Sequence, residues 1–142
     1  MKNRAILTAL LLFLMQSLYS QKNVKSFLVV SYNVENLFDT INSPDFEDDD
    51  FTPSGSKAWT YERYEKKLDD LARVILSIPG GELPALIGLA EVENRKVLED
   101  LASVRGLRRG EYAIVHEDDR DPRGIECALL YRPDMFKYRS HE

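Results

Sequence analysis

Asn33, Glu35 and Glu91 stand where two apolar runs of this 142-residue chain end, and they carry the chemistry most worth following. In SYNVENLF, residues 31–38, the run Phe27, Leu28, Val29, Val30 leads to Asn33, with Glu35 two residues further on. In PALIGLAEVEN the run from Ala85 reaches Glu91, with Glu93 and Asn94 beyond it. A buried strand ordinarily closes in a turn of Gly, Pro or Asp. Here both close on an amide or a carboxylate.

If the helix between the two strands is a right-handed crossover, the strands run parallel and their carboxyl ends meet on one edge of the sheet. Asn33 and Glu91 then converge. One carboxylate and an amide, completed by water and a substrate oxygen, form the oxygen-only shell that suits Mg2+ or Mn2+. Such an ion neutralises a phosphate and polarises it for attack by water. Strand-end acids and amides also cap turns or face solvent, and spacing alone leaves both readings open.

The elements that position these groups follow from periodicity. Residues 27–33 read as a first strand, too continuously apolar to be half exposed. Residues 39–60 lack any period and carry Pro44, Pro53, Gly55 and the acidic cluster Glu47, Asp48, Asp49, Asp50, so they read as a long loop. That cluster lacks the spacing of an EF-hand calcium loop and reads as a solvated charge run.

From 61 to 78, Tyr64, Leu68, Leu71, Ala72, Ile75 and Ile78 fall at helical spacing, with Thr60 placed to cap the first turn and PGG at 79–81 to stop the helix. A second strand spans 85–91. A second helix starts at about Asn94, with Val97, Leu98, Leu101, Ala102 and Val104 on one side. Strands at 111–116 and 126–132 flank the turn-rich connection EDDRDPRG. The class is mixed α and β.

The first twenty residues read as something other than fold. MKNRAILTALLLFLMQSLYSQ places Lys2 and Arg4 before an apolar run, then small and polar residues up to Ser20. This is the order of a secretory signal cut after residue 20, and the run is too short to be read first as a membrane span. The expected location is therefore secreted or periplasmic. With Lys2 and Arg4 removed, 17 Lys and Arg face 24 Asp and Glu, a net charge of −7. That balance disfavours a broad surface for coating nucleic acid but not a local phosphate site in a cleft.

The single cysteine, Cys127, lies in an apolar strand pattern and reads as a buried, inert thiol. Residues 21–142 suit one small domain, without repeats or long low-complexity segments.

SYNVENLF, IGLAEVEN and RGIECALLYRP, in this order and with strands between them, resemble the endonuclease/exonuclease/phosphatase family, which includes deoxyribonuclease I and bacterial sphingomyelinases. The resemblance implies a four-layered α/β/β/α sandwich, an α+β fold, and Mg2+- or Mn2+-dependent hydrolysis of phosphoesters. It implies that Glu91 binds the metal, that Asn33 organises the site beside it, and that Glu35 assists the metal. It also places Arg123, in DDRDPRGIE, against a substrate phosphate, which guanidinium geometry suits. Asn94 is a further candidate for the substrate. The alternative for Arg123 is a surface pair with Asp119 or Asp121. His116 has no matching role in the family and reads as structural or exposed, and Glu126 stands where relatives commonly carry Asp.

Two later motifs of the family, an Asp-x-Asn such as GDFN and a terminal SDH, do not occur in this sequence. The chain therefore reads as the N-terminal half of such an enzyme, truncated after the fourth strand, and its own catalysis is expected to be absent or nearly so. An unpaired sheet would expose apolar side chains prone to aggregation or chaperone binding. The alternative is a non-catalytic secreted binding module built on the half-fold, whose acidity favours a protein or cationic partner.

Overall fold

The computed structural model describes residues 26–79, 81–117 and 122–140. The signal reading falls outside the described residues, as do positions 118–121 of the polar connection. Strands β1 (Val29–Leu37), β2 (Leu86–Val92), β3 (Ala113–His116) and β4 (Glu126–Tyr131) form one sheet in the order β1, β2, β4, β3. β1 and β2 are parallel, and β4 runs antiparallel to both β2 and β3. Among the described residues two α-helices, α1 (Tyr61–Leu76) and α2 (Arg95–Ser103), accompany the sheet, and the class is mixed α and β.

Helix α1 forms because Tyr64, Leu68, Leu71, Ala72 and Ile75 recur on one side, and all five are buried. It ends where Ser77 turns its N–H back to the Arg73 and Val74 carbonyls, two residues before Pro79. Thr60 occupies the capping position with extended backbone, but its side chain makes no cap. Its hydroxyl bonds the Glu62 carboxylate instead, holding that acid below its ordinary range. In α2 the cap is real, because the Asn94 side chain accepts the Val97 N–H at 3.0 Å.

Both helices lie on one face of the sheet. Val30, Ile87, Leu89, Ala128 and Leu130 join Leu68, Leu71 and Ile75 of α1 and Val97, Leu98 and Leu101 of α2 in a single core cluster. Burying each of the larger side chains contributes roughly 1.5–3 kcal/mol before conformational entropy is set against it.

The helices cover only that face, and this corrects two sequence expectations. Strand β1 alternates between exposed and buried, with Val29 55% exposed and Val30 only 7%, so it is half exposed. By register, Val29, Ser31, Leu86, Gly88, Leu129, Cys127, Ala113 and Val115 share the side that neither described helix covers. Cys127 is consequently exposed, against its reading as a buried thiol. Iodoacetamide is expected to alkylate Cys127 in the native protein at a rate within about tenfold of a free thiol, since access and not unfolding limits the reaction. Protection until denaturant is added would show that this face is covered in solution.

The 39–60 loop is more organised than its composition suggests. A 3-10 turn at Asp49–Phe51 stacks Phe51 on Phe38 with ring centres 4.0 Å apart. Trp59, 9% exposed, closes the loop by donating its indole N–H to the Phe38 carbonyl at 3.0 Å. Within the acidic run, Glu47, Asp49 and Asp50 are exposed, but Asp48 is only 2% exposed. Its two carboxylate oxygens accept the Ser43 N–H at 3.2 and 3.0 Å, so one member of the run is internal wiring rather than a solvated charge. Among the described residues no helix is long and apolar enough to cross a membrane.

Candidate active site

The carboxyl ends of β1 and β2 carry matched irregularities. Asn33 pairs with Ala90 and Leu37 with Val92, so 34–36 on β1 lie opposite Glu91 alone on β2. On the other side of β2, Ala90 pairs with Cys127 and Val92 with Glu126, which leaves Glu91 as an extra residue there too. Bulges of this kind bend a strand and re-aim a side chain. Glu35, Asn36 and Glu91 hold φ of 55°, 62° and 65°, in the left-handed region. Each such non-glycine residue costs on the order of 1 kcal/mol, which the surrounding packing must offset.

The strained backbone delivers a specific contact. Asn33 Nδ2 donates to Glu91 Oε1 at 2.9 Å, across 58 residues of sequence. The backbone N–H of Asn36 donates to Glu91 Oε2 at 3.1 Å. Asn33 Oδ1 accepts the Glu35 N–H at 2.8 Å, which fixes the amide's orientation. Each carboxylate oxygen of Glu91 thus has one anchoring donor and keeps further lone-pair capacity.

The other expected site residues fall differently. Glu35 is exposed, and its carbonyl accepts from Lys67 Nζ at 3.2 Å. Asn94 is spent within the fold: besides capping α2, its Nδ2 donates to Asp39 Oδ2 at 3.2 Å. Both ends of its side chain are thus engaged within the fold. Arg123 is exposed in the turn that enters β4.

Glu93 was passed over in the sequence, yet it is only 4% exposed. Its Oε2 accepts the Asp39 N–H at 2.7 Å and its Oε1 lies 3.5 Å from the Ser43 hydroxyl. Burial pushes its pKa up to about 7, the nearby charges of Asp39 and Asp48 add to that, and the two hydrogen bonds oppose it. Glu93 ties the start of the 39–60 loop to the end of β2. The signal for it was present in AEVEN, a second carboxylate directly after the last core residue, Val92.

A cleft of about 460 Å³ lies elsewhere, between the first half of α1 and the length of α2, lined by Asp39, Tyr61, Tyr64, Leu68, Lys96 and Asp100 among others. It includes neither Asn33 nor Glu91. Among the described residues no group of three or more His, Cys, Asp or Glu side chains is gathered to hold an ion. The donors at Glu91 nonetheless fit Mg2+, which is commonly held by one or two carboxylates plus water and phosphate oxygens.

A mixed sheet with an anchored carboxylate where two parallel strands end defines a class of α and β protein with an oxygen-donor site at the sheet edge. Residues 28–142 match the model of the Endonuclease/Exonuclease/phosphatase family, and the chain belongs to that family. Its members are hydrolases of phosphoester bonds and are generally dependent on divalent metal. No curated protein and no solved structure matches the chain.

Proposed function

We propose that the protein is a phosphoesterase that uses Mg2+ or Mn2+ to hydrolyse phosphodiester or phosphomonoester bonds by in-line attack of water. The observation that carries this reading is the Asn33 to Glu91 hydrogen bond at 2.9 Å, made where two bulged parallel strands end. Glu91 holds the ion, with Glu35 as a second carboxylate at the same edge. A divalent ion there supplies charge neutralisation at the phosphate and a more acidic bound water. Asn33 and the Asn36 N–H keep the Glu91 carboxylate in one orientation, so little reorganisation is needed on binding. Arg123 pairs with a phosphate oxygen of the ester, be it of nucleic acid, a lipid headgroup or a small phosphate ester. The protein acts outside the cytoplasm, after removal of residues 1–20.

Within this reading the 142-residue chain alone is inactive, because it has neither the Asp-x-Asn nor the SDH string to activate water and stabilise charge on phosphate. Residues 21–142 are expected to leave bis-p-nitrophenyl phosphate intact with either ion. The same protein is expected to gain several degrees in melting temperature in Mn2+ at about 100 times its Kd, a stabilisation of about 2.7 kcal/mol. Glu91→Gln removes that gain. Ester hydrolysis that Glu91→Gln abolishes would refute the inactivity while strengthening the phosphoesterase. No metal-dependent shift in the wild type would favour the binding module.

A further inference from the structure

His116 closes β3 and Glu126 opens β4, so the two residues stand at the two ends of one connection. Their side chains are 2% and 3% exposed, with His116 Nε2 3.4 Å from Glu126 Oε2. Stability gives a poor reason for such a pair. An ion pair or strongly polar pair in a core is commonly matched or outdone by apolar residues of the same volume, because both groups lose water. What a buried polar pair does supply is a fixed geometry, since its partners tolerate few alternatives.

The turn that follows is held from its other side as well. Pro122 offers its carbonyl to the Glu47 N–H at 3.0 Å. Gly124 has φ of 62° and lies so close to Phe46 that a Cβ there would come within 2.7 Å of the ring. Only glycine fits that conformation and that approach. Glu126 in turn pairs in register with Val92, the residue after Glu91. The turn at 122–125 therefore leaves the sheet at the edge where Glu91 sits, and it carries Arg123.

We infer that His116 and Glu126 form a positioning pair that sets the 122–125 turn, and with it Arg123, for phosphate at the Glu91 edge. This rests on the phosphoesterase reading and adds to it residues that act through another. Neither touches substrate. Their role is to remove the alternative paths by which β4 could begin, and Phe46 and Glu47 complete the clamp.

The test is titration of the protein with inorganic phosphate in Mg2+, followed by amide NMR shifts, beside thermal melts. Arg123→Ala is expected to weaken phosphate about tenfold, the loss of one charge-assisted contact. The paired swap His116→Phe with Glu126→Leu is expected to melt no lower than the wild type. It nevertheless weakens phosphate as much as Arg123→Ala does, and adding Arg123→Ala to it produces no further loss. If the paired swap does not fold, Glu126→Gln, which keeps the volume but removes the carboxylate that faces His116 Nε2 at 3.4 Å, is read in the same cycle with Arg123→Ala. Full phosphate affinity in the folded swap or in Glu126→Gln, with Arg123→Ala still weakened, overturns the positioning role and leaves the phosphoesterase standing. Wild-type protein that shows no Arg123-dependent phosphate binding overturns both.

Discussion

In the presence of a chelator, the stability of the protein is expected to fall by about 3 kcal/mol as pH rises from below 4.5 to above about 7, and Glu93→Gln to abolish most of that slope. The sign follows from burial. Glu93 is raised from 4.5 to about 7 in the fold, chiefly because it is taken out of water. Over that interval the folded state binds a proton that the unfolded chain has released, so the unfolding free energy declines with pH. The contribution is whole below 4.5 and gone above about 7. Glu62 and Asp70 shift the other way, but both act below their ordinary values of 4.5 and 3.8, outside this window. Gln keeps an oxygen to accept the Asp39 N–H that Glu93 now accepts at 2.7 Å. The variant should therefore match the wild type at low pH and exceed it at neutral pH. Urea unfolding at the two ends of the window measures this, and equal slopes in the two proteins would place the charge cost elsewhere.

What the sequence made legible was decided by local pattern. Both helices were readable from apolar residues at three- and four-residue spacing, and α2 also from Asn94, whose cap is local. The meeting of Asn33 and Glu91 was readable because two apolar strands flank one helix, which leaves parallel pairing as the simple solution. The bulges were not. Asn36 holds Glu91 through its backbone N–H, and no side-chain motif records a backbone donor. Glu93, Asp48 and Ser43 meet only because the 39–60 loop folds back on the end of β2, a path set by Phe38, Phe51 and Trp59 packing rather than by any period. The state of Cys127 turned on which face of the sheet the helices choose, and an apolar run without polar alternation gives no information on that.

Leu37→Ala is expected to lower stability by about 3 kcal/mol and the melting temperature by about 10 °C, and in addition to remove the response to Mn2+. Leu37 is fully buried and pairs with Val92 just beyond the bulge, and its carbonyl accepts the Glu93 N–H at 3.1 Å. It is the pin that returns β1 to register after the irregular residues at 34–36. Those residues hold strained backbone, and strain of on the order of 1 kcal/mol each persists only while the packing on either side over-determines the path. Loss of the pin lets the bulge relax toward regular pairing, which would turn the Asn36 N–H away from Glu91. Ile75→Ala separates this from simple destabilisation. Ile75 is 1% exposed in α1 and does not border the bulge, so its truncation should cost a similar amount while the Glu91-dependent Mn2+ shift survives. Ile41→Ala, at a residue 72% exposed, should change neither quantity. If Leu37→Ala and Ile75→Ala melt alike and both keep the metal response, the carboxylate of Glu91 is oriented by its own strand and does not depend on the bulge of its neighbour.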